Sequence, residues 1–164
     1  MFGGLPGVGK TQLARYLASE IGAVYLRIDT LEQTIKNIGF DVNCDEGYQV
    51  TFALAADNLK NGVSVVADSI NPVDESRRAW CDVASKAHSA YKEIEVFCSN
   101  QSEQRARIET RKSDIPHLRL PDWQSVLDRD YQPWITAQYR IDTANQTPVQ
   151  SKAQLLRLLN INTQ

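Results

Sequence analysis

The feature of this sequence that most restricts its fold is a glycine-rich segment near the N-terminus, followed at once by a lysine and a threonine. The segment is Gly4-Leu5-Pro6-Gly7-Val8-Gly9-Lys10-Thr11, which has the spacing of a phosphate-binding loop. Glycines allow unusual backbone angles and leave no side chain between backbone N–H groups and phosphate oxygens. Apolar residues follow at helical spacing, so the loop is predicted to join a strand to a helix, whose first turn favours anions. The alternative is a glycine-rich turn with an exposed lysine.

We therefore expect this loop, residues 4–12, to bind a nucleoside triphosphate. Lys10 would reach the β- and γ-phosphates, and the Thr11 hydroxyl would bind Mg²⁺. The predicted cofactors are thus ATP and Mg²⁺. The predicted nucleotide contacts are Gly4, Leu5, Pro6, Gly7, Val8, Gly9, Lys10, Thr11 and Gln12.

Strands and helices alternate along the rest of the chain, which predicts parallel βαβ units and a three-layer α/β sandwich. At 164 residues the chain is expected to form a single domain, 1–164. After a very short apolar start at residues 1–3, strands are predicted at 23–28, 63–67, 92–98 and 139–141. Helices are predicted at 13–21, 30–38, 48–59, 71–87, 101–112, 122–132 and 151–159, the fourth beginning at Asn71 and Pro72.

Charge and cysteine content exclude several classes of function. The formal net charge is −2, so a basic surface for nucleic acid or anionic membrane is not expected. Cys44, Cys81 and Cys98 are odd in number and far apart, which argues against a disulfide framework and predicts buried thiols in a reducing compartment. No apolar run could span a bilayer, and no secretory signal is evident. We expect a cytoplasmic protein with no membrane partner.

Two aspartates are predicted to end strands of the sheet, where ligands of open α/β sheets bind. Asp68 follows the apolar run 63–67 and has the position of a residue that holds Mg²⁺ through its water shell. Asp29 follows the run 23–28 and could accept the proton of an attacking hydroxyl. The alternative for either aspartate is a helix N-cap. Ser69 stands where hydrolytic ATPases usually place a glutamate, which argues against that class.

Positive charge concentrates in and after the polar helix predicted at 101–112. Phosphoryl transfer needs cations over the migrating group, and a closing loop excludes water, so residues 101–122 are interpreted as a lid. Arg107 and Arg111 are four residues apart and are expected to share one helix face. The alternative is a solvated helix with ion pairs. The basic residues are Arg105, Arg107, Arg111, Lys112 and Arg119.

Four segments together resemble one known family over nearly the whole chain. They are the phosphate-binding loop, the strand end Leu26-Arg27-Ile28-Asp29, the strand Val65-Val66-Ala67-Asp68 and the Arg107/Arg111 pair. They look like the small P-loop kinases of the AAA-type kinase group. That group includes chloramphenicol phosphotransferase, the kinase domain of bacteriophage polynucleotide kinase, zeta toxins, and gluconate and shikimate kinases.

The resemblance implies a five-stranded parallel sheet in the order 2-3-1-4-5 with a helical lid. It implies that Asp29 is the base on the substrate side and that Arg107 and Arg111 are lid arginines. It also implies that residues 142–148 form the loop that packs on the adenine ring.

The sequence departs from the family pattern at two places. Polynucleotide-kinase relatives carry an arginine three residues after the base aspartate, where it grips a substrate phosphate. Glu32 occupies that position here, so a neutral or cationic substrate fits better than a nucleic-acid 3′-phosphate. Only Met1 and Phe2 precede Gly3, so either the central strand is short or residues ahead of Met1 complete it.

These observations predict an ATP- and Mg²⁺-dependent phosphotransferase that moves the γ-phosphate to a hydroxyl of a small molecule. The predicted catalytic residues are Lys10, Asp29, Arg107 and Arg111, and the predicted metal-binding residues are Thr11 and Asp68. The alternatives are a nucleoside or polynucleotide 5′-hydroxyl kinase, a nucleotide-dependent ATPase switch, and a nucleotide-binding module without turnover.

Overall fold

Five parallel strands form one sheet in the computed structural model, which describes residues 1–161. Their order, β2-β3-β1-β4-β5, confirms the order that the family resemblance implied. The last three residues of the predicted domain lie outside the described residues. The strands are β1 (Phe2–Gly3), β2 (Val24–Arg27), β3 (Val65–Asp68), β4 (Ile94–Phe97) and β5 (Tyr139–Asp142).

Helices cover both faces of the sheet, so the predicted three-layer sandwich is confirmed. On one face, α1 and α7 pack through Leu13, Leu17 and Leu155 against the sheet. On the other face, Ala55 of α3 and Trp80 of α4 form a second apolar cluster. The helices are α1 (Lys10–Glu20), α2 (Ile28–Asn37), α3 (Glu46–Lys60), α4 (Asp74–Lys86), α5 (Gln101–Thr110), α6 (Trp123–Leu127) and α7 (Pro148–Leu159).

The central strand is only two residues long, yet it sets the position of the phosphate-binding loop. Phe2 pairs with Asp68 of β3 and with Ile94 of β4, and Gly3 pairs with Glu95. The chain then leaves the carboxyl edge of the sheet directly into residues 4–9 and α1. The loop therefore lies beside the ends of the neighbouring strands, where Arg27 of β2 is in register with Asp68.

The predicted start of α4 is wrong by several residues. Asn71 is not a helix cap: its backbone is left-handed, with φ +49°, and its side chain is completely buried. Its amide donates to the Phe2 carbonyl at 2.9 Å and accepts from Trp80 Nε1 at 3.2 Å. These two bonds tie the segment to the sheet, and α4 begins only at Asp74.

The helix predicted at 122–132 is also shorter than expected and ends at Leu127. The residues that follow are bonded to the start of α4 instead. The Gln132 N–H donates to the Pro72 carbonyl at 2.8 Å, and the Gln132 carbonyl accepts from the buried Arg77 guanidinium at 2.6 Å. Long-range hydrogen bonds have therefore replaced the local ones of a helix.

Two further observations bear on the sequence-based expectations. Among residues 1–161 there is no helix with the length and apolar character that crossing a bilayer requires. All three cysteines are free; Cys98 is buried as expected and Cys81 is half-buried, whereas Cys44 is exposed.

Candidate active site

The phosphate-binding loop has the backbone form that its glycines predict. Gly4 and Gly7 have φ values of +141° and +82°, which are accessible to glycine but costly for other residues. A Cβ at Gly4 would overlap the Val96 carbonyl, and one at Gly7 would lie 2.8 Å from the Ile108 side chain. Within the described chain, none of the N–H groups of residues 5–12 donates a backbone hydrogen bond. This cluster of unpaired donors at the start of α1 fits a polyphosphate.

Lys10 and Asp68 form a buried ion pair directly behind this loop. Lys10 Nζ donates to Asp68 Oδ1 at 2.5 Å, and the two side chains are only 8% and 1% exposed. The Tyr25 hydroxyl donates to Asp68 Oδ2 at 2.6 Å. Burial alone would raise the pKa of Asp68, but the charge of Lys10 and these hydrogen bonds outweigh it and lower that pKa. Asp68 is therefore held as a carboxylate.

The donor set at this point fits Mg²⁺ held mainly by phosphate and water. Thr11, on the first turn of α1, is close enough to Asp68 for its hydroxyl to help lower the pKa of that carboxyl. Hydroxyl and carboxylate oxygens are the ligands that Mg²⁺ prefers. In residues 1–161 no group of three or more histidine, cysteine, aspartate or glutamate side chains is arranged to hold a metal. Thr11 and Asp68 could thus contribute only part of a coordination shell.

Asp29 lies in the first turn of α2 and not in the strand–helix connection that the sequence predicted. The helix begins at Ile28, its N-cap is Arg27, and no side chain caps it. The side chain of Asp29 is 44% exposed, and its Oδ2 atom lies 3.7 Å from Arg27 Nε. The N-cap alternative is therefore wrong for Asp29. It is wrong for Asp68 too, because α4 begins six residues later, after Val73.

Arg111 points its guanidinium toward the same region without a protein partner. Its Nε and Nη2 atoms are buried and make no hydrogen bond within the described residues. Burial and the charge of Arg27 lower the pKa of Arg111, whereas the nearby charge of Asp29 raises it, and the net shift is downward. Unpaired buried donors are costly, so this group is suited to an anion that reaches it from the loop.

The guanidinium groups of Arg107 and Arg111 make different contacts, although the two residues are four apart. Helix α5 ends at Thr110, but the Arg111 N–H still donates to the Arg107 carbonyl at 3.1 Å, and the chain turns away only after Arg111, whose ψ is 149°. The Arg107 guanidinium donates to the Thr143 hydroxyl at 2.9 Å, to the Thr143 carbonyl at 3.0 Å and to Glu103 at 2.5 Å. It also reaches the Gly7 carbonyl at 3.5 Å. Arg107 therefore joins the phosphate-binding loop to the 142–148 segment.

The sequence did not indicate the contacts that four residues of this site make. Tyr25 and Arg27 lie on a strand that was identified only by its apolar pattern, and Thr143 follows β5. Asp114, in the 111–122 loop, accepts from Arg27 at 2.8 Å and from Arg15 at 2.6 Å. Each of these contacts spans at least 36 residues of sequence, so only the folded topology reveals them.

Comparisons with known proteins identify the family and the fold. A model of the AAA domain family matches residues 1–129. A presumed kinase from Chloroflexus aurantiacus is 18% identical, with a TM-score of 0.72 over 98% of this chain and 96% of that one. A gluconokinase from Sinorhizobium meliloti is 16% identical, with a TM-score of 0.68 over 97% and 89%. Kti12 from Chaetomium thermophilum, solved with ADP-AlF3, is 18% identical, with a TM-score of 0.66 over 97% and 96%.

These likenesses show that the chain has the fold of the P-loop kinases. No curated protein sequence matches it.

The Tyr25–Asp68 hydrogen bond predicts a measurable contribution to stability. Tyr25→Phe would leave one oxygen of a buried carboxylate unpaired, which should lower the free energy of unfolding by about 1–3 kcal/mol. Urea denaturation at pH 7 measures this change. Tyr16→Phe is the control, because the Tyr16 ring packs under Lys152 and its hydroxyl does not contact Asp68. Equal stability of the two variants would contradict the role assigned to Tyr25.

Proposed function

Because the chain belongs to the AAA domain family, we propose that it is an ATP- and Mg²⁺-dependent kinase with a small-molecule hydroxyl as acceptor. The observation that carries this proposal is the convergence of three groups at one edge of the sheet. They are the unpaired N–H groups of the phosphate-binding loop, the unpaired donors of Arg111 and the accessible carboxylate of Asp29. The free cysteines agree with action in the reducing cytoplasm.

In the proposed reaction, the acceptor oxygen attacks the γ-phosphorus while the bond to the β–γ bridging oxygen breaks and ADP leaves. Asp29 takes the proton of the acceptor hydroxyl and orients that hydroxyl for attack. The N–H groups of residues 5–12 and Lys10 bind the phosphate chain. Arg111 stabilises the charge of the migrating phosphoryl group. Thr11 and, through water, Asp68 would hold Mg²⁺, which would supply further charge neutralisation.

The two predicted lid arginines then have different roles. Arg107 donates to Thr143 and to the Gly7 carbonyl, so we propose that it holds the 142–148 segment in place as the wall of the pocket for the nucleobase of ATP. Arg111 has two buried donors, Nε and Nη2, without a partner among the described residues, and it acts on the phosphoryl group. We further propose that α5 and the 111–122 loop form the lid over the site.

Glu32 provides a second carboxylate, beside Asp29, on the side of the site where the acceptor is proposed to bind. Glu32 is half-buried and packs so closely over Gly47 that a Cβ there would collide with its side chain. Burial and then the charge of Asp29 raise the pKa of Glu32. The Tyr48 hydroxyl lies within the field of both carboxylates. These groups disfavour an acceptor that brings a phosphate to this point, which supports a neutral or cationic small molecule over a polynucleotide.

The proposed function is tested by following ADP formation from ATP and Mg²⁺ with a panel of acceptors. The panel contains neutral polyols, amino sugars, sugar acids and nucleosides, each assayed beside a reaction without acceptor. A kinase shows ADP formation that depends on one chemical class, with the phosphate recovered on that acceptor. Turnover that is indifferent to every acceptor would instead indicate an ATPase switch.

Substitution of Asp29 tests the proposed base. Asp29→Asn should bind ATP nearly as well as wild type, because the residue faces the acceptor, but transfer should fall by roughly 10²–10⁴-fold, the usual contribution of a general base. Calorimetric titration and single-turnover transfer measure the two quantities. Asp68→Asn is the comparison, and it should weaken binding of ATP in Mg²⁺ as well. If Asp29→Asn loses affinity and rate together, Asp29 belongs to the metal site.

The division between the two arginines gives a separate test. Arg111→Ala should lower kcat by about 100-fold or more with little change in the KM for ATP, because it acts on the transition state. Arg107→Ala should mainly raise the KM for ATP. Arg105→Ala is the control, since Arg105 is 58% exposed and pairs with Glu109. Identical kinetic profiles for the Arg107 and Arg111 variants would contradict the proposed division.

A further inference from the structure

Arg27 lies between two carboxylates that belong to different parts of the chain. Its Nη1 atom donates to Asp114 Oδ1 at 2.8 Å, and its Nε atom lies 3.7 Å from Asp29 Oδ2. The Arg27 side chain is only 10% exposed, and Nε makes no hydrogen bond within the described residues. A nearly buried guanidinium thus binds the 111–122 loop while its unused donor faces the proposed base.

Asp114 is the anchor of that loop. It accepts from Arg15 on α1 at 2.6 Å as well as from Arg27 at the end of β2. The hydrogen bonds from Arg15 and Arg27 hold the pKa of Asp114 well below its usual range, so this carboxyl is charged at every physiological pH. One side chain therefore fastens the loop to a helix and to a strand of the sheet.

The carboxylates of Asp29 and Asp114 compete for hydrogen bonds from Arg27. A carboxylate that accepts a charge-assisted hydrogen bond from arginine loses proton affinity and is fixed in direction, which makes it a poor base. The other charged or titratable groups near Asp29 are Arg111 after α5, Glu32 on α2 and Tyr48 on α3. Arg111 belongs to the 111–122 loop itself, whereas Arg27 lies outside the loop and contacts both Asp29 and the loop residue Asp114. With Asp114 bound to Arg27, Asp29 accepts no hydrogen bond from it.

Building on the proposed kinase activity, we propose that Arg27 is a positioning residue that Asp114 and Asp29 share. When the 111–122 loop is docked, Asp114 holds Arg27 and Asp29 is free to take the proton of the acceptor. When the loop leaves, Arg27 turns to Asp29 and blocks it. The base is therefore competent only under a docked loop, which limits transfer of the phosphoryl group to water.

A double-mutant cycle in kcat tests this coupling. Asp114→Asn should lower kcat by about tenfold with the KM for ATP within twofold, because Arg27 then pairs with the base. In an Arg27→Met background, the same Asp114→Asn change should alter kcat by less than about twofold. Arg15→Gln is the matched control: it removes the other bond to Asp114 but does not touch Asp29, so kcat should fall by less than about threefold. An equal loss from Asp114→Asn in both backgrounds overturns the proposal.

A second measurement needs no acceptor. Trypsin can cut the loop at the exposed Lys112 and Arg119, and its rate reports how often the loop undocks. Because the coupling between Asp29 and the loop is reciprocal, loss of the Asp29 charge should favour the bond between Arg27 and Asp114 and keep the loop docked. Asp29→Asn should therefore slow cleavage by about two- to fivefold. The change should vanish in the Arg27→Met background. Unchanged cleavage in Asp29→Asn overturns the sharing of Arg27, whereas a wild-type protein that phosphorylates no acceptor overturns only the proposed function.

Discussion

The buried ion pair between Lys10 and Asp68 is the interaction on which the rest of the site depends. Two charges this far from water are tolerated only when their geometry is good and their remaining hydrogen-bonding groups are satisfied. Tyr25 meets that requirement at the second oxygen of Asp68. The pair joins the first turn of α1 to the end of β3, and Tyr25 adds β2. The phosphate-binding loop is therefore fixed against the carboxyl edge of the sheet.

The positions of the other proposed functional groups are also set by the carboxyl edge of the sheet. Helix α2 starts directly after β2, so Asp29 lies only two residues after Arg27, whose register partner on β3 is Asp68. Helix α5 lies against the loop through Gln104, whose amide donates to the Pro6 carbonyl at 2.8 Å, and through Ile108. Because of this packing, Arg111 lies on the side of the proposed acceptor, and Arg107 lies on the side of the proposed nucleobase pocket. The two arginines at the end of α5 therefore have different proposed functions.

The sequence predicted the parts of the molecule that short-range patterns encode. The glycine spacing of residues 4–11 and the β-branched run before Asp68 each carry a local signature, and the alternation of strands and helices restricts the topology. Parts that depend on distant contacts were not predictable. Asn71 resembles a helix cap in sequence, but its bonds to Phe2 and Trp80 are formed only in the folded sheet. Arg107 and Arg111 are spaced for one helix face, but the groups that their guanidiniums approach, Thr143 and Asp29, lie far away in sequence.

The central claim, that residues 4–12 and Lys10 bind the phosphates of ATP, is tested most directly by calorimetric titration of Mg·ATP into wild type and Lys10→Ala. Circular dichroism and urea denaturation establish that the variant is folded. We predict saturable binding by wild type and an affinity at least about 30-fold lower for the variant, because a buried charge partner of the phosphates is lost. Equal affinities for two folded proteins would contradict the account.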